Sequence, residues 1–203
     1  MFYAAKSGIK ALPKILLAVT AVAALSVAYP ARANFIATIN QVGANVDVTG
    51  SGTIDLTGLM FQTNGSAGAA IVPSGAFLAL ATGNVGVYTG VSGPTSFGSG
   101  GVTFASSNGG NAVGIFGGSG QLFVPQGYVS GTSLSATSTY AGATLLSLGV
   151  TPGTYTWTWG TGVHADSFTL QIGAAGVPDG GSTVSLLGCA LLGLAALRRK
   201  LSC

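Results

Sequence analysis

The sequence predicts an all-β fold, a single antiparallel β-sandwich or jelly-roll-like domain that spans residues 34–176. Short runs of alternating apolar residues recur along this region, and glycine-rich clusters separate them, as is typical of strands joined by tight turns. This pattern favours antiparallel strands over β–α–β units. The 34 glycines of the 203-residue chain would also suit disorder. The recurring Val, Ile, Leu, Phe, Tyr and Trp residues argue against it.

A first strand is predicted at residues 35–42 and a β-hairpin at residues 45–60. The alternating residues 46–49 and 53–59 flank Gly50, Ser51 and Gly52, and such a triplet can supply the positive φ angles of a tight turn. Asp47 and Asp55 would face each other across this hairpin, where calcium could bridge their carboxylates. The commoner arrangement is two outward aspartates on a solvated face.

The elements up to residue 148 are predicted to be short. Residues 61–75 are polar and rich in Gly and Ala, which indicates a loop. Residues 77–81 and 85–88 are predicted to pair with each other, and residues 91–101 to form a second loop. Three strands, an edge segment and one candidate helical turn follow, at residues 102–105, 113–116, 121–124, 126–130 and 138–148, with turns at 107–111 and 117–120.

A closing hairpin is predicted from residues 154–159 and 166–172. Tyr155, Trp157 and Trp159 alternate strictly with threonines, so the three rings share one face of the strand and the threonine face is expected to be exposed. The rings either fill the core, as alternating bulky residues normally do, or form a flat row that stacks on sugar rings. The Pro-Gly turn before Tyr155 is similar to the tyrosine corner that braces many β-sandwiches.

Residues 1–33 are predicted to be a secretory signal peptide. Residues 15–29 are mostly apolar, and Ala31 and Ala33 are small residues at the two positions that signal peptidase reads. The Sec translocon and signal peptidase are therefore expected partners, and the mature chain is expected to begin at Asn34. The positive region that precedes the apolar segment contains Lys6, Lys10 and Lys14.

Residues 177–203 form a terminal segment with three parts. The first part should be extended, since proline and glycine continue neither helix nor strand, and consists of Val177, Pro178, Asp179, Gly180 and Gly181. Residues 183–197 are uncharged and would give about 22 Å of helix against a hydrocarbon layer of about 30 Å. The basic cluster Arg198, Arg199 and Lys200 follows, and such clusters favour the cytoplasmic side. We expect a short transmembrane sorting helix that is held transiently in the inner membrane, and a plain membrane anchor is the alternative.

Positive charge is confined to these two terminal segments, which contain all seven lysines and arginines. Residues 34–176 contain three aspartates and no Lys, Arg or Glu, so their formal charge is −3, against +3 for the whole chain. This composition excludes electrostatic binding of nucleic acid or anionic lipid by the predicted domain. The same region has no cysteine and therefore no disulfide.

The carboxyl-terminal residues resemble the PEP-CTERM class of exosortase-sorted bacterial surface proteins, and in particular its VPDSG-CTERM variant. The resemblance lies in residues 177–181, the apolar segment and the basic cluster, with Gly180 where the variant usually has serine. It implies that a membrane-embedded exosortase recognises the motif, cuts near it, and releases or transfers the protein to the cell surface.

A second resemblance covers about half of the mature chain. Residues 153–160 and 165–173, together with 97–101 and 122–130, are similar to an ectodomain that recurs in the PEP-CTERM class. The likeness implies an exported β domain and assigns no activity to it.

Candidate catalytic residues are few. His164 has Asp166 and Ser167 close by, but on a strand His164 and Asp166 would share a face while Ser167 points to the other. A polar surface cluster is therefore predicted in place of a triad. Paired carboxylates for glycoside hydrolysis could come only from aspartates, since the chain has no glutamate. No cofactor or metal is expected.

The sequence thus predicts a non-enzymatic exported cell-surface or extracellular-matrix protein of a diderm bacterium. The alternative is a carbohydrate-binding surface module that uses Tyr155, Trp157 and Trp159 on extracellular polysaccharide. The expected organisation is a signal peptide at 1–33, a β-sandwich ectodomain at 34–176 and a sorting signal at 177–203.

Overall fold

The computed structural model describes residues 34–173, and the predicted signal peptide and sorting signal lie outside this range. The described residues form β-strands and three short 3-10 turns, with no α-helix among them, which confirms the all-β prediction. None of their helical segments is long and apolar enough to cross a membrane. The strands are β1 (Asn34–Val42), β2 (Asn45–Gly52), β3 (Met60–Ala67), β4 (Ala70–Val72), β5 (Phe77–Ala79), β6 (Gly83–Thr89), β7 (Thr103–Phe104), β8 (Ser107–Gly110), β9 (Gly114–Phe116), β10 (Gln121–Pro125), β11 (Leu134–Tyr140), β12 (Gly153–Trp159) and β13 (Asp166–Ile172).

Six strands form the first sheet, in the order β12-β13-β1-β2-β11-β8. β12 and β13 pair antiparallel, which confirms the closing hairpin. β13 also pairs with β1, and this pairing is parallel, with Ile39 opposite Ile172. The prediction of a wholly antiparallel fold is therefore wrong at this pair, since no hairpin fixes the relative direction of two strands so far apart in sequence.

Seven strands form the second sheet, in the order β3-β6-β10-β9-β5-β4-β7. Two of its hairpins are built alike, because β4–β5 and β9–β10 each turn through a 3-10 segment, Pro73–Gly75 and Gly117–Ser119. Each segment ends at a left-handed residue, Ala76 with φ 52° and Gly120 with φ 63°. Ala76 is the only non-glycine residue with a positive φ among those described, and it stands where its counterpart hairpin has glycine.

The second sheet is strongly curved from one edge strand to the other. β3 lies at one edge and β4 lies next to the other, yet only Gly68 and Ala69 separate them in sequence. These two residues can span about 11 Å from Ala67 to Ala70, so the two sides of the sheet must approach each other at this end. The concave face forms a groove of about 540 Å³, here called the apolar trough, whose lining includes Val85, Val87, Phe77, Phe104, Phe116 and Phe123.

The opposite, convex face of the second sheet packs on the first sheet. Both sheets contribute to one hydrophobic cluster, in which Phe35 and Phe168 come from the first sheet and Leu78, Ile115 and Leu122 from the second. Phe35 and Phe168 stack with their ring centroids 5.1 Å apart. Two sheets that share one core are the arrangement expected of a β-sandwich.

The predicted hairpin at residues 45–60 is wrong. β2 runs through Gly50 to Gly52 without turning, and its neighbours are β1 and β11. A Cβ on Gly50 would lie 2.5 Å from Leu80 Cδ2 and 2.8 Å from Phe35 Cε1, so this glycine serves close packing inside the core. Residues 53–59 are a loop, and Asp47 and Asp55 consequently do not face each other across a hairpin.

Several further boundaries differ from the predictions. The predicted loop at 61–75 contains β3 and β4, and the predicted turn at 107–111 contains β8. β5 and β6 do not pair with each other, since β5 pairs with β4 and β9 and β6 pairs with β3 and β10. Residues 126–130 form a turn with no strand, whereas β7, β9 and β10 confirm the three predicted short strands.

The prediction of a helical turn at 138–148 is confirmed only for its second half. Its first residues belong to β11, which extends to Tyr140. The later residues form a hydrogen-bonded turn in which the Leu148 amide donates to the Thr144 carbonyl at 3.0 Å. Gly142, with φ 68°, separates the two parts because its left-handed conformation ends the strand direction.

Candidate functional site

The aromatic face of β12 is buried. Trp157 is 0% exposed and Trp159 is 5% exposed. Their indole N–H groups donate to the carbonyls of Pro94 and Asp55, each at 2.7 Å. The structure therefore does not support a carbohydrate contact at Trp157 and Trp159, and the prediction that these rings fill the core is confirmed.

Tyr155, the third predicted contact, is partly buried and braces a corner. Its hydroxyl donates to the carbonyl of Thr151 at 3.0 Å, four residues upstream. Its ring lies 6.0 Å from that of Phe97, centroid to centroid. This arrangement confirms the predicted tyrosine corner at the start of the closing hairpin. The predicted exposed threonine face is confirmed as well, because Thr154, Thr156 and Thr158 are exposed.

Asp55 lies at the centre of a polar network that joins a loop to the closing hairpin. One carboxylate oxygen accepts the Thr57 amide at 2.9 Å, and the other lies 2.8 Å from His164 Nδ1. The Asp55 carbonyl accepts the Trp159 indole, and the Asp55 amide donates to Asp166 Oδ2 at 2.6 Å. The hydrogen bonds from His164 and then Thr57 lower the pKa of Asp55, since each stabilises the ionised carboxylate.

Asp166 is buried at the start of β13. It is 5% exposed, and its two carboxylate oxygens accept the amides of Asp55 and Ser167, each at 2.6 Å. Burial raises its pKa to about 6, and the two backbone N–H donors offset part of that rise. A shallow groove that Asp166 shares with Asn34 and Ser167 gives water partial access to it.

His164, Asp166 and Ser167 do not form a catalytic triad. His164 pairs with Asp55, and its side chain is 53% exposed. The Ser167 hydroxyl donates to Asn34 Oδ1 at 3.2 Å, away from the histidine. The partnership of Asp55 with His164 was not predicted, because the two residues are 109 positions apart and no local pattern links them.

Asp47 is engaged elsewhere. Its Oδ1 accepts the hydroxyl of Thr139 on the neighbouring strand β11 at 2.8 Å. The structure therefore does not bring Asp47 and Asp55 together as a calcium pair. Among residues 34–173 no group of three or more His, Cys, Asp or Glu residues could hold a metal ion.

The outer face of the first sheet carries a groove of about 610 Å³, and its lining on β1, β2, β11 and β8 is half serine and threonine and half glycine, alanine and isoleucine. Thr38 and Thr49 lie opposite each other there, with their hydroxyls 2.8 Å apart. The groove has no charged residue in its lining. Sequence reasoning missed it because β11 and β8, which lie beside β1 and β2 in the sheet, are distant from them in the chain.

Comparison with known proteins places the functional signal outside the described β body. The model of the VPDSG-CTERM motif matches residues 176–201, which include Val177–Gly181 and the basic cluster at 198–200. The chain therefore carries a PEP-CTERM-like exosortase sorting signal, as its resemblance to that class predicted. No curated protein and no solved structure matches the chain.

Proposed function

We propose that the protein is a non-enzymatic cell-surface or extracellular-matrix protein of a diderm bacterium, delivered as an exosortase substrate. The observation that carries this proposal is the sorting motif at residues 176–201. The residues we assign to recognition and cleavage are Val177, Pro178, Asp179, Gly180 and Gly181, which act as substrate.

The charge distribution supports this route. The Sec translocon would export the chain, signal peptidase would cut after Ala33, and Arg198–Lys200 would keep the far end of the sorting helix in the cytoplasm. The helix would hold the precursor in the inner membrane until the exosortase acts. The part that remains outside the cell would be the β-sandwich ectodomain. The only side chains in it that are charged or titrate near neutral pH are those of three aspartates and one histidine.

The environment of the described carboxylates supports a non-enzymatic body. General acid–base catalysis needs a group that can reach a substrate proton. Asp166 is buried against two backbone amides, Asp55 is bonded to Thr57 and His164, and Asp47 accepts from Thr139. Each of the three carboxylates thus has a structural partner.

Intact-mass measurement of the protein recovered from the cell surface and the medium tests the proposal. We expect an amino terminus at Asn34 and a carboxyl terminus within or next to Val177–Gly181. Pro178→Ala should block processing, so that a species retaining Arg198–Lys200 accumulates in the inner membrane. The matched control is Ser182→Ala, just outside the five-residue motif, which should be processed normally. A wild-type product that keeps its basic cluster would show a plain anchor and refute the proposal.

A further inference from the structure

β3 is the longest uncovered sheet edge in the described chain. Seven of its eight residues are exposed, and its backbone pairs with β6 alone. An edge strand presents a row of unpaired N–H and C=O groups. A second extended strand can form hydrogen bonds with all of these groups at once. This edge is therefore a template for strand addition.

The other edges are shorter or covered. β7 has two residues and β8 has four. β12 is longer, but its Thr158 exchanges two backbone hydrogen bonds with Ser92, at 2.8 and 3.0 Å. β3 carries neither proline nor any charged residue, the devices that usually protect an edge from pairing. A bulge between Phe61 and Thr63 limits the regular stretch to its second half.

The apolar trough opens beside the same stretch of β3. Gly65, Ser66 and Ala67 line it together with Val85 and Val87 of the neighbouring strand, and none of its lining residues is charged. Val85 is buried, whereas Val87, Phe77 and Phe116 are only partly buried. One end of β3 thus borders an apolar surface that lacks a cover among the described residues.

The other end of β3 supplies a side chain suited to that surface. Met60 is 69% exposed and lies opposite Thr89 of β6. Thr89 is two residues beyond Val87 and four beyond Val85, so these three side chains lie on the same face of the sheet, the face that forms the apolar trough. Methionine adapts its shape to irregular apolar surfaces. Antiparallel pairing of β3 with an identical strand would bring Met60 of each copy beside the Gly65–Ala67 end of the other.

We infer that β3 pairs antiparallel with β3 of a second copy about a two-fold axis, joining two curled sheets and placing each Met60 over the trough of the other copy. A two-fold contact of this kind is self-complementary and closed. Since neither the edge nor the trough carries charge, no like-charge repulsion opposes it. The contact would assemble the protein after export and does not depend on how its carboxyl end is processed.

Sedimentation velocity of the full-length chain in mild detergent tests this inference over a range of protein concentrations. We expect a concentration-dependent dimer for the wild type. Ser66→Lys places a cation from each copy on the shared edge and should give a monomer. Met60→Gln keeps the side-chain length but removes apolar contact, and it should weaken the dimer by about tenfold or more.

Thr137→Lys is the matched control, because it adds the same charge to an exposed position on the interior strand β11. It should leave the dimer intact, and all variants should keep the wild-type far-ultraviolet circular dichroism spectrum. Amides of residues 63–67 should also exchange more slowly with deuterium as the dimer forms. A monomer at every concentration, a dimer that resists Ser66→Lys, or equal sensitivity to Thr137→Lys would overturn the inference.

Discussion

Asp55 and Asp166 are 111 positions apart, and the amide of Asp55 donates to the carboxylate of Asp166 at 2.6 Å. This bond ties the loop after β2 to the start of β13. It also buries a carboxylate whose other oxygen accepts only a backbone amide. The relationship makes the stability of the β body depend on the protonation of Asp166.

The first prediction is that Asp166 makes the body less stable as the pH rises from about 4 to 7. Its pKa is raised from 3.8 to about 6, so the folded state holds the proton more tightly than the unfolded state does. The resulting stabilisation is fully present below 3.8 and is lost as the pH passes 6. Because water partly reaches the site, we expect the loss to be about 1–2 kcal/mol.

Urea unfolding of wild type and Asp166→Asn across this pH range measures the effect. The asparagine variant should have a flatter profile, because it cannot titrate. Asp55 changes this comparison little, because its lowered pKa means that its stabilising contribution is present above about 3.8 and is lost only as the pH falls below that value. Parallel profiles for the two proteins would contradict the prediction.

The second prediction concerns the buried indole of Trp157. Trp157→Ala should lower the free energy of unfolding by about 3–5 kcal/mol, because it leaves a large cavity beside Phe97 and Phe168. It also leaves the Pro94 carbonyl without its donor. Thr154→Ala, on the exposed face of the same strand, should change stability by less than about 0.5 kcal/mol. Comparable losses for both variants would mean that the ring does not fill the core.

The third prediction compares a glycine packed inside the core with a glycine that has open space around it. Gly50→Ala should destabilise the fold by about 1–3 kcal/mol, since its Cβ would overlap the side chains of Leu80 and Phe35. Gly101→Ala is the control, because nothing lies within 4 Å of a Cβ at that position and its φ is not in the left-handed region. Denaturant titration should find Gly101→Ala neutral, and a neutral Gly50→Ala would show that β2 does not pass through the core there.

The fourth prediction tests the tyrosine corner. Tyr155→Phe removes the hydroxyl that donates to Thr151 and should cost about 1 kcal/mol of unfolding free energy. Tyr88→Phe should cost less, because no hydrogen bond of the Tyr88 hydroxyl is found among the described residues. Equal decreases in the melting temperature of the two variants would show that the Tyr155–Thr151 hydrogen bond does not stabilise the fold.

The sequence could predict those elements that bury one face. β12 and β13 alternate bulky and small or polar residues, and burial enforces that period. β3 has no such period because both of its faces are exposed, and it is a strand only through its pairing with β6. Gly50 was mistaken for a turn because a glycine that relieves a contact and one that supplies a positive φ look alike in sequence.

The polar network around Asp55 could not be predicted from the sequence for a different reason. His164 was grouped with its neighbours Asp166 and Ser167, but its partner is Asp55, which reaches it through the fold. Long-range partners of this kind depend on the order of the strands in the sheet, and local periodicity does not predict that order. The sorting motif needed no such information, since its parts are contiguous.

The place of β13 between β12 and β1 has a consequence for the timing of folding. The last described strand is an interior strand of the first sheet, and it is the neighbour of the first strand. A ribosome releases β13 only after nearly all of the body has been made. The growing chain therefore lacks the strand that joins β12 to β1, and its first sheet cannot be completed before residues 166–172 have been synthesised.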